Sequence, residues 1–325
     1  MKKIVLFSLL VAVLLSGCGK TSEVSNEEGN TVLNIAYQYG LAYAPAIIAQ
    51  EQGLIEKAYE EATGKELTVV WTQMGSGADI NTSIASGSID VGFMGVAPAI
   101  TGVTKGVGYK VFTNLSGQEN CLMTTNTEVD SLDDLVGSNH QIVLVNSGSI
   151  QHIILAKALK EQGLEAHALD SNIVAMKHPD GMAALMSGNV AFHLTSSPYV
   201  YMERENSTIQ EIKAVGEAWP REKSFIVGVA SNRVHTSDEA AYLALCRGIE
   251  EAVELINDDV ETAAAITHEF NGNTIEDEMV YLKNGNYTTK TSGIYELALF
   301  MAENGFVQTE INSYSDLVFD NVKGD

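Results

Sequence analysis

Basic residues are scarce in this chain: 19 lysines and arginines stand against 42 aspartates and glutamates, a formal net charge of −23. So acidic a surface repels nucleic-acid phosphates and gains nothing from an anionic membrane, which argues against nucleic-acid binding. The only arginines are Arg204, Arg221, Arg233 and Arg247. Cysteine is scarcer still, with three in all. Cys18 lies just after the N-terminal apolar segment and is set apart from the other two; Cys121 and Cys246 are too few for a disulfide framework or a zinc site. They read as small apolar core residues, with a pairing between them left open. Catalytic signatures are missing too: there is no G-x-S-x-G, H-E-x-x-H or Walker A loop and no paired metal-ligand spacing. The acidic pairs Glu60-Glu61, Asp133-Asp134, Glu250-Glu251 and Asp258-Asp259 fall on helices or their ends and read as solvated faces. No enzyme, metal or cofactor is expected.

What is present is a globular composition, 45% hydrophobic with 28 glycines in 325 residues, enough for two compact domains. MKKIVLFSLLVAVLLSGCGK has a basic start, an apolar run from Ile4 to Leu15 and then small residues, the pattern of a secretory signal too short to span a membrane. Leu15-Ser16-Gly17-Cys18 resembles a bacterial lipobox, which implies cleavage before Cys18 and a lipid on Cys18. A plain signal with an incidental cysteine is the alternative. GKTSEVSNEEGN is polar and without periodicity, a tether. The expected organisation is 1–17 signal peptide and 18–31 lipid-anchored tether, followed by two lobes.

The lobes are visible as a repeat. EQGL occurs at Glu51–Leu54 and again at Glu161–Leu164. VLNIAYQYG, a strand, precedes the first copy's helix LAYAPAIIAQEQGL; HQIVLVNSGS precedes the second copy's helix IQHIILAKALKEQGL. Downstream, Ser86-Gly87-x-Ile89-x-Val91-x-Phe93 aligns with Ser187-Gly188-x-Val190-x-Phe192-x-Leu194, and each strand leads to a proline, Pro98 or Pro198. Each copy reads β-α-β-α-β with a further helix from the proline; the first is longer because EKAYEEATGKE is inserted after EQGL. Alternating strands and helices imply parallel sheets with right-handed crossovers, so ligands bind where strand C-termini meet helix N-termini. The loops there are Gln38–Pro45, Met74–Ala78, Gly95–Pro98, Asn146–Gln151, Lys177–Gly181 and Thr195–Tyr199.

These strings carry a family resemblance. LNIAYQYG, EQGL, Gly75-Ser76-Gly77-Ala78, SGSIDVGFMGVAP, Ser131–Gly137, VLVNSGS and AAYLALCRGIEEAVELINDD resemble the periplasmic substrate-binding proteins of ABC importers, of the nitrate/sulfonate/taurine type, over roughly residues 32–307. The resemblance implies an α/β fold of the type II periplasmic binding protein, two α/β lobes with mainly parallel sheets joined by a two-strand hinge. Lobe 1 would be 32–116 plus 222–325, and lobe 2 would be 117–221. It further implies a monomeric, lipid-anchored extracytoplasmic receptor that delivers a small solute to an ABC permease and ATPase.

In such a cleft, Ser/Gly turns at helix N-termini present backbone N–H groups and hydroxyls to an oxyanion. The candidate ligand residues are Ser76, Gly77, Gly95, Val96, Ser147, Gly148, Ser149, Thr195 and Ser196, with the tyrosines Tyr39, Tyr43 and Tyr199. The serines serve equally as helix N-caps. Tyr37 and Tyr201 read as core by alternation. Lys177 and His178 are the only basic residues placed to reach the cleft, which suits a monoanion, a zwitterion or a neutral heteroaromatic. His152 and His193 read as helix-surface and strand positions. Sulfonate or taurine-like ligands come first, and a pyrimidine such as a thiamine precursor is the alternative. Two enzymes share the fold: a pyrimidine synthase with a cysteine-rich motif, absent here, and a tetrapyrrole-building deaminase whose basic cleft is not matched. A sensor using the same cleft without transport is a third reading.

Overall fold

The structure is a computed structural model that describes residues 31–325; the signal, Cys18 and most of the tether lie outside the described residues. Two sheets organise it. The first is built from β1 (Thr31–Tyr37), β2 (Leu67–Gln73), β3 (Val91–Gly95), β4 (Tyr109–Gly117), β10 (Ile226–Ser231) and β11 (Asn286–Tyr287), in the order β2-β1-β3-β10-β4-β11. The second comprises β5 (Asn120–Thr124), β6 (Ile142–Leu144), β7 (Ile173–Ala175), β8 (Phe192–Ser196) and β9 (Gln210–Ile212), in the order β7-β6-β8-β5-β9.

The repeat read from the sequence is a repeat of topology. In each sheet its three strands are parallel and in the same order, β2-β1-β3 and β7-β6-β8. The neighbouring strand then runs antiparallel, β10 beside β3 and β5 beside β8. Each of these arrives from chain that has just crossed from the other sheet. Helices Ala44–Gln52 and Ile150–Glu161 follow the first strand of each copy, and Gly77–Ala85 and His178–Met186 the second. Val96–Thr104 and Tyr199–Arg204 follow the third. Gly53 (φ 58°) and Gly163 (φ 78°) take the left-handed conformation after the helices that carry EQGL, a conformation glycine adopts without a Cβ penalty. EKAYEEATGKE supplies most of an extra helix, Leu54–Thr63, in the first copy alone.

Burial follows from this topology. Parallel strands between helical layers are buried along their length, and β3, β6 and β8 are buried at every position, including the polar His193, Thr195 and Ser196 of β8. The long helix Glu239–Asp258 packs on Leu54–Thr63 and Ala44–Gln52, outside the first sheet. Cys121 and Cys246 are free thiols, so no disulfide joins them.

The chain passes between the sheets twice, through Gln118-Glu119 and through residues 219–225. The two passages lie side by side, because Phe225 N donates to Ser116 O at 2.9 Å. Trp219, buried, anchors the return by donating its indole N–H to Ser224 O at 3.1 Å. Away from these passages the C-terminal helix Ile294–Glu303 forms another link. It packs on Val96–Thr104, and just beyond its end the carbonyl of Asn304 lies 2.7 Å from His167 Nε2. Phe306 packs its ring against His167 and His152. His152 is therefore not a helix-surface residue, as the sequence suggested. It is buried, its Nδ1 accepts from Gly148 N at 2.9 Å, and its Nε2 lies 2.9 Å from Asp170 Oδ1.

The most specific string of the resemblance, SGSIDVGFMG, has a structural job. Asp90 is buried at the entry to β3, where its carboxylate accepts from Asn34 N (2.9 Å) and Asn34 Nδ2 (3.1 Å) and pairs with Arg233. It ties β1, β3 and the helix after β10 together. Asp90→Ala leaves those donors unsatisfied and is expected to cost about 1–3 kcal/mol, read from the urea midpoint at constant m-value.

Candidate binding cleft

Parallel pairing puts the C-terminal ends of these strands on one edge of each sheet, at the gap between the lobes, and helices begin there. Five of them line one cavity with an N-cap or first-turn residue: Tyr43, Gly77, Gly95, Ser149 and Lys177. Each brings unpaired N–H groups and the positive end of its dipole. The walls between them are apolar, from Ala42, Pro98 and Val145 to Ile150, Phe225 and Ile226. The lobes touch around it. Leu41 N donates to Ser197 O at 3.2 Å across the gap, and Lys177 Nζ sits 5.4 Å from the Tyr39 ring centroid. About 30 Å³ remains free inside, room for about one or two waters, so admitting a solute requires the walls to part.

Of the residues expected from sequence, Tyr39, Tyr43, Gly77, Gly95, Ser149, His178 and Ser196 line this cavity. The others are placed around it. Ser76 caps its own helix: its Oγ accepts from Asp79 N at 3.2 Å and donates to Asp79 Oδ2 at 2.8 Å, which occupies the hydroxyl. Ser147 and Gly148 face a neighbouring groove beside Met301 and Phe306, where the Gly148 N–H is taken by His152. Val96 is buried with its N–H bonded to Phe225 O at 3.0 Å, and Thr195 is buried within β8. Tyr199 lies behind the lining, its ring stacked on His178 at 5.7 Å. Ser149 both caps and lines. Its Oγ accepts from His152 N at 3.3 Å, which leaves the hydroxyl proton to donate.

A buried polar chain runs from the cavity wall into the second lobe. Gln151 Nε2 lies 3.0 Å from His178 Nε2, His178 Nδ1 lies 3.3 Å from His193 Nε2, and His193 Nδ1 lies 2.6 Å from Glu203 Oε1. Relative exposures of 3% for Gln151, 6% for His178 and 0% for His193 and Glu203 leave no room for solvent to bridge them. Burial pulls both imidazoles down to about 3, with the neighbouring His193 adding to the effect at His178. His178 is therefore neutral, and Lys177 is the one charged residue lining the cavity. Gly181 permits the close approach, since a Cβ there would fall 2.6 Å from His193 Nε2.

Sequence reasoning passed over Gln151 as a ligand residue, although its place two positions after the Ser149 cap could have marked it. Glu203, in a helix between Met202 and Arg204, carries no such signal. A second cluster, Glu119, Cys121 and Glu211, has metal-ligand spacing. Arg204 already pairs with both carboxylates, at 2.6 and 2.8 Å, and the Cys121 thiol donates to Glu211 at 3.0 Å. Burial and those carboxylates push the thiol's pKa up, so the cluster is a neutralised ion network and a poor metal cradle.

With this geometry described, similarity to known proteins can be placed on it. The taurine-binding periplasmic protein of Escherichia coli is 26% identical over 188 residues, 57% of this chain and 55% of that protein, so the chain matches just over half the length of this relative. The periplasmic aliphatic sulphonate binding protein SsuA of Escherichia coli superimposes with a TM-score of 0.67 at 19% identity, over 91% of this chain and 94% of that one. The alkanesulfonate-binding protein SsuA of Xanthomonas axonopodis pv. citri, bound to MOPS, gives 0.70 at 15% identity, over 91% and 99%. These structures establish the fold as that of the periplasmic binding proteins. Residues 26–268, most of the chain and the whole of the repeat, match one family model, and the chain belongs to the NMT1-like family.

Proposed function

We propose that this chain is the solute-binding component of an ABC importer. It acts outside the cytoplasmic membrane, held there by a lipid on Cys18, and closes as a monomer on a small organic monoanion or zwitterion of the sulfonate, taurine or nitrate class. The observation that carries this reading is the cavity's charge: one cation, Lys177, among five helix N-termini. That arrangement attracts negative charge and, with a single formal cation, fits a small anion. The taurine- and sulfonate-binding names of its relatives point the same way. Residues 32–116 with 222–325 form one moving body and 117–221 the other, turning about the two crossing segments; the ligand stabilises closure because it touches both. The closed complex delivers its solute to a permease and its ATPase. A second reading, a pyrimidine thiamine precursor or related heteroaromatic, is favoured by Tyr39 and Tyr43 on the lining.

A thermal-shift and calorimetric series with taurine, short alkanesulfonates, nitrate and hydroxymethylpyrimidine tests the class. Sulfonates should raise the melting temperature, and Lys177→Met should weaken them roughly tenfold to a hundredfold with the ligand-free melting temperature unchanged. A response to the pyrimidine alone, indifferent to Lys177, overturns the first reading in favour of the second. The two serines should separate: Ser76→Ala lowers stability by about 1 kcal/mol without changing affinity, whereas Ser149→Ala lowers both. Closure is tested at Gly95, where a Cβ would lie 2.7 Å from Ile150 Cγ2 on the other lobe. Gly95→Ala should hold the lobes apart, raising the radius of gyration in solution scattering and weakening the ligand while each lobe stays folded.

A further inference from the structure

The chain Gln151–His178–His193–Glu203 has only two continuous hydrogen-bonding arrangements with both imidazoles neutral, because each neutral ring has one donor and one acceptor nitrogen. In the first, Glu203 is ionised. His193 Nδ1–H donates to it, His193 Nε2 accepts from His178 Nδ1–H, and His178 Nε2 accepts from the Gln151 amide N–H, which leaves the Gln151 carbonyl towards the cavity. In the second, Glu203 keeps its proton. Its O–H donates to His193 Nδ1, His193 Nε2–H donates to His178 Nδ1, and His178 Nε2–H donates to the Gln151 carbonyl. A carboxamide turned about its last bond exchanges its two atoms, so the Gln151 NH₂ then faces the cavity.

We propose that Glu203 is a positioning residue for the binding cleft: through His193 and His178 it sets which end of the Gln151 carboxamide meets the ligand, and in its protonated form it selects for an anion. The ligand half of this statement rests on the reading given under Proposed function; the relay does not.

The surroundings of Glu203 decide which arrangement holds at neutral pH. Oε2 is buried and has no hydrogen-bond partner. The elements packed on its helix are His178–Met186, β5 and β8. They bring His178 and His193, both neutral, Cys121, and Asp180, which is exposed. On its own helix, Arg204 is turned to Glu119 and Glu211, and Tyr199 and Tyr201 are held un-ionised by burial. Among the described residues no cation faces the carboxyl, and burial pushes it up to about 8. Neutral solution therefore holds the second arrangement, with a donor aimed into a cavity whose other polar features already favour negative charge. As pH rises through about 8 the proton leaves, the chain reverses, and a carbonyl oxygen replaces the NH₂ opposite the anion.

The relay is testable without any ligand. In protein labelled with ¹⁵N-histidine, His178 and His193 should both be Nε2–H tautomers at pH 6.5 and both Nδ1–H tautomers at pH 9.5, in one shared transition near pH 8. Glu203→Gln should abolish the transition. Tautomers that do not change across that range, or that change independently of one another, overturn the proposal, and the wild-type titration decides this even where the variant fails to fold. With a simple alkanesulfonate as probe, whose charge is constant over this range, affinity should fall about tenfold between pH 7 and pH 9.5 in the wild type and stay level in Glu203→Gln. A tautomer switch with no sulfonate binding at any pH sinks the ligand class and leaves the relay standing. A switch with pH-independent sulfonate affinity sinks the selection of anions by Glu203.

Discussion

Everything at the cleft depends on the strands of each repeat running parallel. Because β2-β1-β3 and β7-β6-β8 are parallel, those strands end on one edge of their sheet and the helices after them start on that edge. Two sheets facing each other then pool the positive ends of five helices in one small space. The molecule as a whole carries −23. Its far field is screened within about 8–10 Å at physiological salt, so a solute inside the cleft senses the local dipoles and Lys177 and little of the acidic exterior. A strongly acidic protein and an anion-seeking site are thus compatible.

The architecture was legible in the sequence because it is built from local signals. A glycine after a helix, a serine before one, and an apolar run between them each act within a few residues, and their order repeated. EQGL proved a register mark: Gly53 and Gly163 end helices whose other ends, at Tyr43 and Ser149, line the cavity. The site was legible only in part. Ser76 and Ser149 look alike as N-caps, and what separates them is Asp79, whose carboxylate occupies the Ser76 hydroxyl. The relay was not legible at all. Its members are 27, 15 and 10 residues apart, and they meet only because β8 lies beside the helix that starts at His178, close enough to require glycine at 181.

The cleft also shows how burial divides work between neighbouring residues. Lys177 and His178 are adjacent and both basic by type. Lys177 is exposed as the helix N-cap and is the cation on the lining. His178, one position on, is stacked on Tyr199 and linked to His193, so it offers direction instead of charge. One residue attracts and the next orients.

The C-terminal helix gives the molecule a mechanical property. It begins at Gly293, beside Lys223 and Trp219 of the return passage, and ends near the contact of Asn304 with His167 on the other lobe. Ten residues of helix put that contact about 15 Å from the pivot. A turn of about 10° at that radius moves it by roughly 2.6 Å, beyond the reach of a hydrogen bond. The contact at its tip is therefore sensitive to small changes in the angle between the two sheets, and whether it is made reports how closely the two halves are drawn together.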